Sequence, residues 1–410
     1  MISNPFIHRT SKRLGIKAEQ FAQTFSYGIA FIFLGGISAI LGPTLPGLAE
    51  QTGTGLKEIS ILFIARQSGA ILTALFLGRL YDRHSGHLIL NVALFTLAIC
   101  LITTPVLPNI YVLAALLFVS GMGISLLNVG GNALILSVHR IGVAPYMVAL
   151  HFAYSVGAFL SPLLVAIAVA TTGSFRLAYW IMGVLIFIPI LLCYRVPSPK
   201  VVDDVSSDDS PVHFTGKLAL FASFFFMYVS VEAGINGWIY SYGLATQIAD
   251  AVSAAYLTSA FWGMETIGRF FSIPIAARFK PMHVVITGVT GATCSILLLN
   301  IFPLSTFVVW TGILLLGLSI SSLFASMLAV AREKMHITGK TTGWLFTGGS
   351  MGGMILPWLV GQFFESYGPL FLFHSILVTQ FLLVLVVWRI WKMPFLKESQ
   401  PQKPDIDTPA

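Results

Sequence analysis

Between Tyr228 and Tyr242 the chain reads YVSVEAGINGWIYSY, which puts a glutamate inside an otherwise apolar run. Tyr228, Glu232, Asn236 and Tyr240 recur every four residues, so a helix sets them in one stripe, and Gly234 and Gly237 ease its bending. Other polar sets share that helical spacing: Ser125, Asn128 and Asn132; His151 and Ser155; Trp262, Glu265 and Arg269. Such groups are unfavourable against hydrocarbon, so they are expected around a wet central cavity or against one another. Amides and carboxylates suit the hydroxyls of a sugar, and aromatic faces such as Trp238, Trp262 and Trp344 suit its C–H surface. A carboxyl group in such a cavity can also take up and release a proton as the cavity opens to either side, which singles out Glu232.

Plainer readings compete with each assignment. Glu265 and Arg269 fit an i,i+4 ion pair as well as a substrate contact. Asn128 and Asn132 fit interhelical hydrogen bonding, and His151 fits a packing histidine. Arg66 fits a buried counter-ion, and Trp344, near the end of a span, fits an interface anchor. Two literal motifs are set aside. Gly348-Gly-Ser350-Met-Gly352 matches a nucleophile elbow but lies in an apolar helical run, and Gly339-Lys340-Thr341 lacks the first glycine of a phosphate loop. With no ATPase signature, a gradient is left as the drive for any transport.

The elements that must position these residues are membrane spans. Hydrophobic residues make up 56% of the chain, charged ones only 10%, and mean hydropathy is +0.86. At about 20 apolar residues per crossing, twelve spans fit, over 20–46, 58–80, 87–106, 109–137, 144–169, 177–195, 214–245, 252–276, 282–302, 305–331, 341–365 and 369–391. With a cytoplasmic N-terminus, 19 of the 23 Lys and Arg residues fall on the cytoplasmic side, as the positive-inside rule requires. Both termini are then cytoplasmic, and the net charge of +7 calls for no nucleic-acid partner. No signal peptide is read at the start. Cys100, Cys193 and Cys294 all fall within spans, so neither a disulfide framework nor a metal centre is expected. The absence of any Asn-x-Ser/Thr sequon favours a bacterial inner membrane.

The chain is also doubled. GAFLSPLL at 157–164 stands 195 positions before GGMILPWL at 352–359, and the same offset sets Arg83 over Arg278 and Gly42 over Gly237. The expected organisation is a cytoplasmic N-terminus at 1–19, a six-helix half at 20–195, a linker at 196–213, a second six-helix half at 214–391 and a tail at 392–410. The linker, VPSPKVVDDVSSDDSPVH, is too polar to build a core.

Between spans 2 and 3 the chain reads Gly78-Arg-Leu-Tyr-Asp-Arg-His-Ser-Gly86, which resembles the loop signature of the major facilitator superfamily. GPTLP at 42–46, ALHFAYSVGAFLSPLL at 149–164, EAGINGWIYSY at 232–242 and GWLFTGGSMGGMILPWLVGQ at 343–362 narrow the likeness. They resemble the branch containing fucose/glucose/galactose:proton symporters and sodium-dependent glucose transporter-like proteins. The resemblance implies an all-α fold of twelve membrane helices in two halves, and alternating access to one central site. Uptake of a sugar or similar small polar solute by a monomer in the cell membrane follows from it.

In the loop, Gly78 lets helix ends approach and Asp82 can pair with Arg83 or Arg140, a latch that must break as the halves rock. The second-half counterpart, at 274–278, lacks the acid. Relatives of this branch often carry coupling acids in spans 1 and 4, but span 1 here has none before Glu50, and Asn128 stands where relatives often carry Asp. The expectation is therefore proton-coupled uptake with Glu232 as the main titrating group and Asn128, Asn132, His151, Asn236, Trp238, Trp262, Glu265 and Arg269 around the substrate. Sodium coupling and facilitated diffusion stay open, and no cofactor is expected. A receptor on the same scaffold and an exporter of amphiphiles or lipids are the alternatives.

Overall fold

The structure is a computed structural model that describes residues 16–76, 84–139, 142–199, 215–336 and 339–394. These residues form helices, grouped into twelve segments with no strand among them. The first half holds α1 (Ala18–Thr52), α2 (Leu56–Phe76), α3 (Gly86–Val106), α4 (Ile110–Val138), α5 (Ala144–Thr172) and α6 (Arg176–Tyr194). The second holds α7 (Gly216–Ala245), α8 (Ala251–Arg278), α9 (Pro281–Ile301), α10 (Thr306–Lys334), α11 (Gly339–Phe364) and α12 (Phe371–Trp391). Ten are long and apolar enough to cross a membrane. The two that fall short are α8, which carries Glu265 and Arg269, and the glycine-rich α11.

Local chemistry sets the helix ends. Asn109 accepts from the N–H groups of Tyr111 and Val112 at the start of α4, and Asp250 accepts from Ser253 N–H at the start of α8. α1 runs past the expected end at 46, through Pro43 and Pro46, and stops only where Gly53 turns left-handed at φ 64°. Each proline removes one donor without ending the helix, because flanking helices hold it in place.

The sequence repeat has a counterpart in packing. α1 lies on α5 as α7 lies on α11; α2 lies on α4 as α8 lies on α10; α3 lies on α6 as α9 lies on α12. Gly157 and Gly352, equivalent by the offset of 195, make the same close approach. A Cβ on Gly157 would collide with the carbonyl of Ile32 on α1, and one on Gly352 with the carbonyl of Phe226 on α7. Between the halves, α1 meets α7, α2 meets α11 and α5 meets α8. At the first of these, Gly42 and Gly237, also equivalent by the offset, sit against each other, and a Cβ on Gly42 would strike the carbonyl of Asn236.

The face that holds the start of α1 and the ends of α4 and α6 in the first half, and the start of α7 and the ends of α10 and α12 in the second, is here the terminal face. Hydrogen bonds join the halves at mid-depth and toward the opposite, far face: Ser38–Asn236, Ser68–Met354, Ser155–Arg269, Phe159–Ser259, Ser60–Gln362 and Leu56–Glu365, besides a second bond from Gln362 to Lys57 O.

Candidate functional site

The polar stripes of α7 and α8 converge where these helices meet α5 and α1. On α8, Arg269 forms a buried ion pair with Glu265, one turn away; Glu265 is fully buried and the Arg269 side chain 21% exposed. The guanidinium reaches across the seam to donate from Nη1 to Ser155 Oγ on α5 at 2.5 Å. Glu232 on α7 lies beside Tyr228 and within electrostatic range of Arg269. Two carboxylates thus share one guanidinium. If all three are ionised the cluster carries one surplus negative charge, which a buried site tolerates only with a proton or cation to offset it.

Two further oxygen atoms face the cluster. Among the described residues Glu265 Oε2 is buried and forms no hydrogen bond, and the buried Tyr228 Oη has only the neighbouring Glu232 carboxyl as a partner. A phenol both donates and accepts, and a carboxylate oxygen accepts, so together they can hold a hydroxyl group of a solute or a bound cation.

One turn along α7, Asn236 completes the wall. The indole N–H of Trp262 donates to Asn236 Oδ1 at 2.7 Å, and because an indole can only donate, this fixes which way the amide points. Its Nδ2 then faces the carbonyl of Ser38 on α1, at 3.5 Å. Arg66 Nη1 approaches the same carbonyl at 3.3 Å, so donors from both halves meet on one main-chain acceptor. Tyr154 of α5 closes the edge, its ring 6.2 Å from that of Trp262.

The structure thus brings Glu232, Asn236, Trp262, Glu265 and Arg269 together. His151 is exposed, one turn toward the terminal face from Ser155, with its ring 6.2 Å from Phe31 and in range of Arg269. Asn132 donates to both oxygens of Asn128 on α4, and neither is hydrogen-bonded to the cluster. Trp238 points elsewhere: fully buried, it donates to Pro357 O at 2.8 Å and stacks on Phe364 at 4.9 Å, a core position that gives a solute no face. Trp344 is exposed near the terminal end of α11. Gly78, Asp82, Arg83 and Arg140, the expected latch, lie outside the described residues.

Sequence spacing missed Tyr154 and the Ser38 carbonyl. A carbonyl carries no side-chain signal, and nothing in the sequence distinguishes this one. Ser155 was legible, one turn beyond His151.

Comparison with known proteins gives a consistent context. The sequence model of the Major Facilitator Superfamily matches residues 27–357. Sodium-dependent glucose transporter 1 of Danio rerio is 28% identical over 371 residues, covering 81% of this chain and 62% of that protein. The Xenopus laevis protein of the same name is 27% identical, covering 89% of this chain and 80% of its own length. Major facilitator superfamily domain-containing protein 4A of Mus musculus is 26% identical, with 84% and 86% covered.

Proposed function

The chain belongs to the major facilitator superfamily of transporters, and from that membership we propose that it takes up a sugar or a similar small polar solute by alternating access, driven by a cation gradient. The observation that carries this reading is the seam cluster: two carboxylates, one of them with an unpartnered oxygen among the described residues, and one guanidinium where the halves meet. The solute lies beside the half-buried Tyr154, Glu232 and Arg269, with the tyrosine face against its C–H surface and the charged groups against its hydroxyls, while the buried Trp262 and Asn236 back the site. The terminal face is taken as cytoplasmic on the distribution of basic residues.

Glu232 carries the coupling. Of the two carboxylates it is the one without an ion-pair partner, and a proton on it removes the surplus charge. The cycle loads Glu232 with proton and solute from outside, and releases both after the halves rock. Sodium is the second reading, favoured by the name of the Danio rerio and Xenopus laevis relatives and by the unpartnered Oε2 of Glu265.

The test is counterflow and gradient-driven uptake of labelled hexoses in proteoliposomes, in sodium-free and sodium-containing buffers. Glu232→Gln is expected to abolish accumulation while leaving exchange. Accumulation by Glu232→Gln at the wild-type rate and pH dependence overturns the coupling role, and accumulation that needs sodium but no pH gradient replaces the proton by sodium. Failure to exchange any sugar removes the substrate class.

A further inference from the structure

Arg66 shares the Ser38 carbonyl with Asn236 of the seam cluster, but it also faces the interior of the first half. It lines a small cavity inside the first half, whose walls are Ile37, Ile40 and Leu41 of α1, Cys100, Leu101 and Thr104 of α3, Leu117 and Ser120 of α4 and Tyr179 of α6. None of Glu232, Asn236, Trp262, Glu265 or Arg269 lines it.

Inside the membrane a guanidinium normally finds a carboxylate. Among the described residues Arg66 finds none. Its hydrogen bonds run only from Nη1 to the carbonyls of Ile37 and Ser38, at 3.5 and 3.3 Å, both long. Its electrostatic neighbours are the phenols of Tyr154 and Tyr179, and among the described residues Nε and Nη2 have no acceptor. The second observation is Ser120, only 5% exposed, which lines the same cavity with a hydroxyl that has no hydrogen bond to the protein. The Tyr179 hydroxyl, hydrogen-bonded to Thr44 Oγ1 at 3.1 Å, borders it too. A half-buried cation, an unpartnered hydroxyl and apolar walls make an environment complementary to an anion. Size then decides which anion. The cavity has room for a water-sized particle and not for a sugar or a phosphate ester.

We propose that this cavity binds a monovalent halide, chloride in a cell, which neutralises Arg66 and ties α1, α2 and α4 together. The ion is structural and stays in place while α1 and α2 move as one body, so it is not a transported species. The proposal stands whether or not the substrate is a sugar.

The experiment is thermal unfolding of the full-length purified protein at constant sodium and ionic strength, with chloride or bromide titrated against gluconate, for wild type, Arg66→Gln and Ser120→Ala. The expected result is a saturable rise of about 2–4 °C in halide for wild type. No halide shift is expected for Arg66→Gln, and roughly tenfold weaker halide affinity for Ser120→Ala, which loses one charge-assisted hydrogen bond. Equal midpoints in chloride and gluconate for wild type overturn the proposal, as does a shift that survives undiminished in Ser120→Ala. Should Arg66→Gln not fold, bromide anomalous scattering from the wild-type protein decides: a peak beside Arg66 supports the site, and its absence from that cavity overturns it.

Discussion

Two seams join the halves away from the axis, α5 against α8 and α2 against α11, and the repeat makes them equivalents. Their chemistry is not equivalent. The α5–α8 seam holds the ion pair, the Arg269–Ser155 bond at mid-depth and Ser259 donating to Phe159 O at 2.7 Å. The α2–α11 seam holds neutral contacts and one carboxylate at the far rim, where Gln362 donates to Ser60 Oγ at 3.0 Å and Leu56 N–H donates to Glu365 at 2.7 Å. Duplication supplied two copies of one geometry. The buried ion pair sits in one copy only, and its twin carries its carboxylate at the rim.

The largest expected effect comes from breaking the charged seam. Arg269→Met leaves Glu265 buried and uncompensated, and a loss of about 3–5 kcal/mol is expected, read as a steep fall in the thermal midpoint. Adding Glu265→Gln to that variant should recover much of the loss, because the stranded charge is gone. No recovery means the two side chains are not energetically paired.

On the neutral seam, Gly361→Val is the stronger perturbation. A Cβ there meets the Ser60 side chain and the ring of Trp238, so overpacking of about 1–3 kcal/mol is expected. The cost falls on the far-face contact, so cysteine labelling at far-face positions should rise. Unchanged labelling would show that α2 and α11 do not gate that face.

Gln362→Ala removes two hydrogen bonds, to Ser60 Oγ and Lys57 O, with an expected effect of about 1 kcal/mol. Exchange should quicken slightly while substrate affinity holds. A tighter apparent affinity would instead put Gln362 at the substrate.

The smallest effect is at the start of α8. The N–H of Ser253, and then its hydroxyl, hold the exposed Asp250 carboxyl below the usual carboxylate range. A lowered folded value gives stability that is fully present above the ordinary aspartate range, about pH 4, and lost as pH falls through the lowered value. Asp250→Asn keeps a capping oxygen but removes that slope, so midpoints measured below about pH 4 should converge with wild type. Persistence of the same slope in Asp250→Asn assigns it to another acid.

Much of this scaffold is legible in the sequence because membrane spans are set by length and hydropathy. The offset of 195 carries Gly157 onto Gly352 and Gly42 onto Gly237, and both pairs are close approaches between helices. The i,i+4 pairing of Glu265 with Arg269 is equally legible, since helical periodicity alone makes them neighbours. Periodicity is silent on rotation about the helix axis. That is why Trp238, a tempting aromatic beside Glu232, turns out to face Phe364 and Pro357. It is equally silent on which helices face each other across the seam, so neither the Arg269–Ser155 bond nor the indole of Trp262 fixing the Asn236 amide could be read from spacing.

The contact of Gly42 with Gly237 has a mechanical meaning. Residues equivalent under a two-fold pseudo-symmetry can touch each other only near its axis, and a point on that axis is carried equally by both halves. With no side chain on either glycine, the two backbones are in direct contact there, and the ring of Phe63 covers Gly237 from the α2 side. A Cβ added at 42 would wedge the halves apart at the one place that neither of them can move away from.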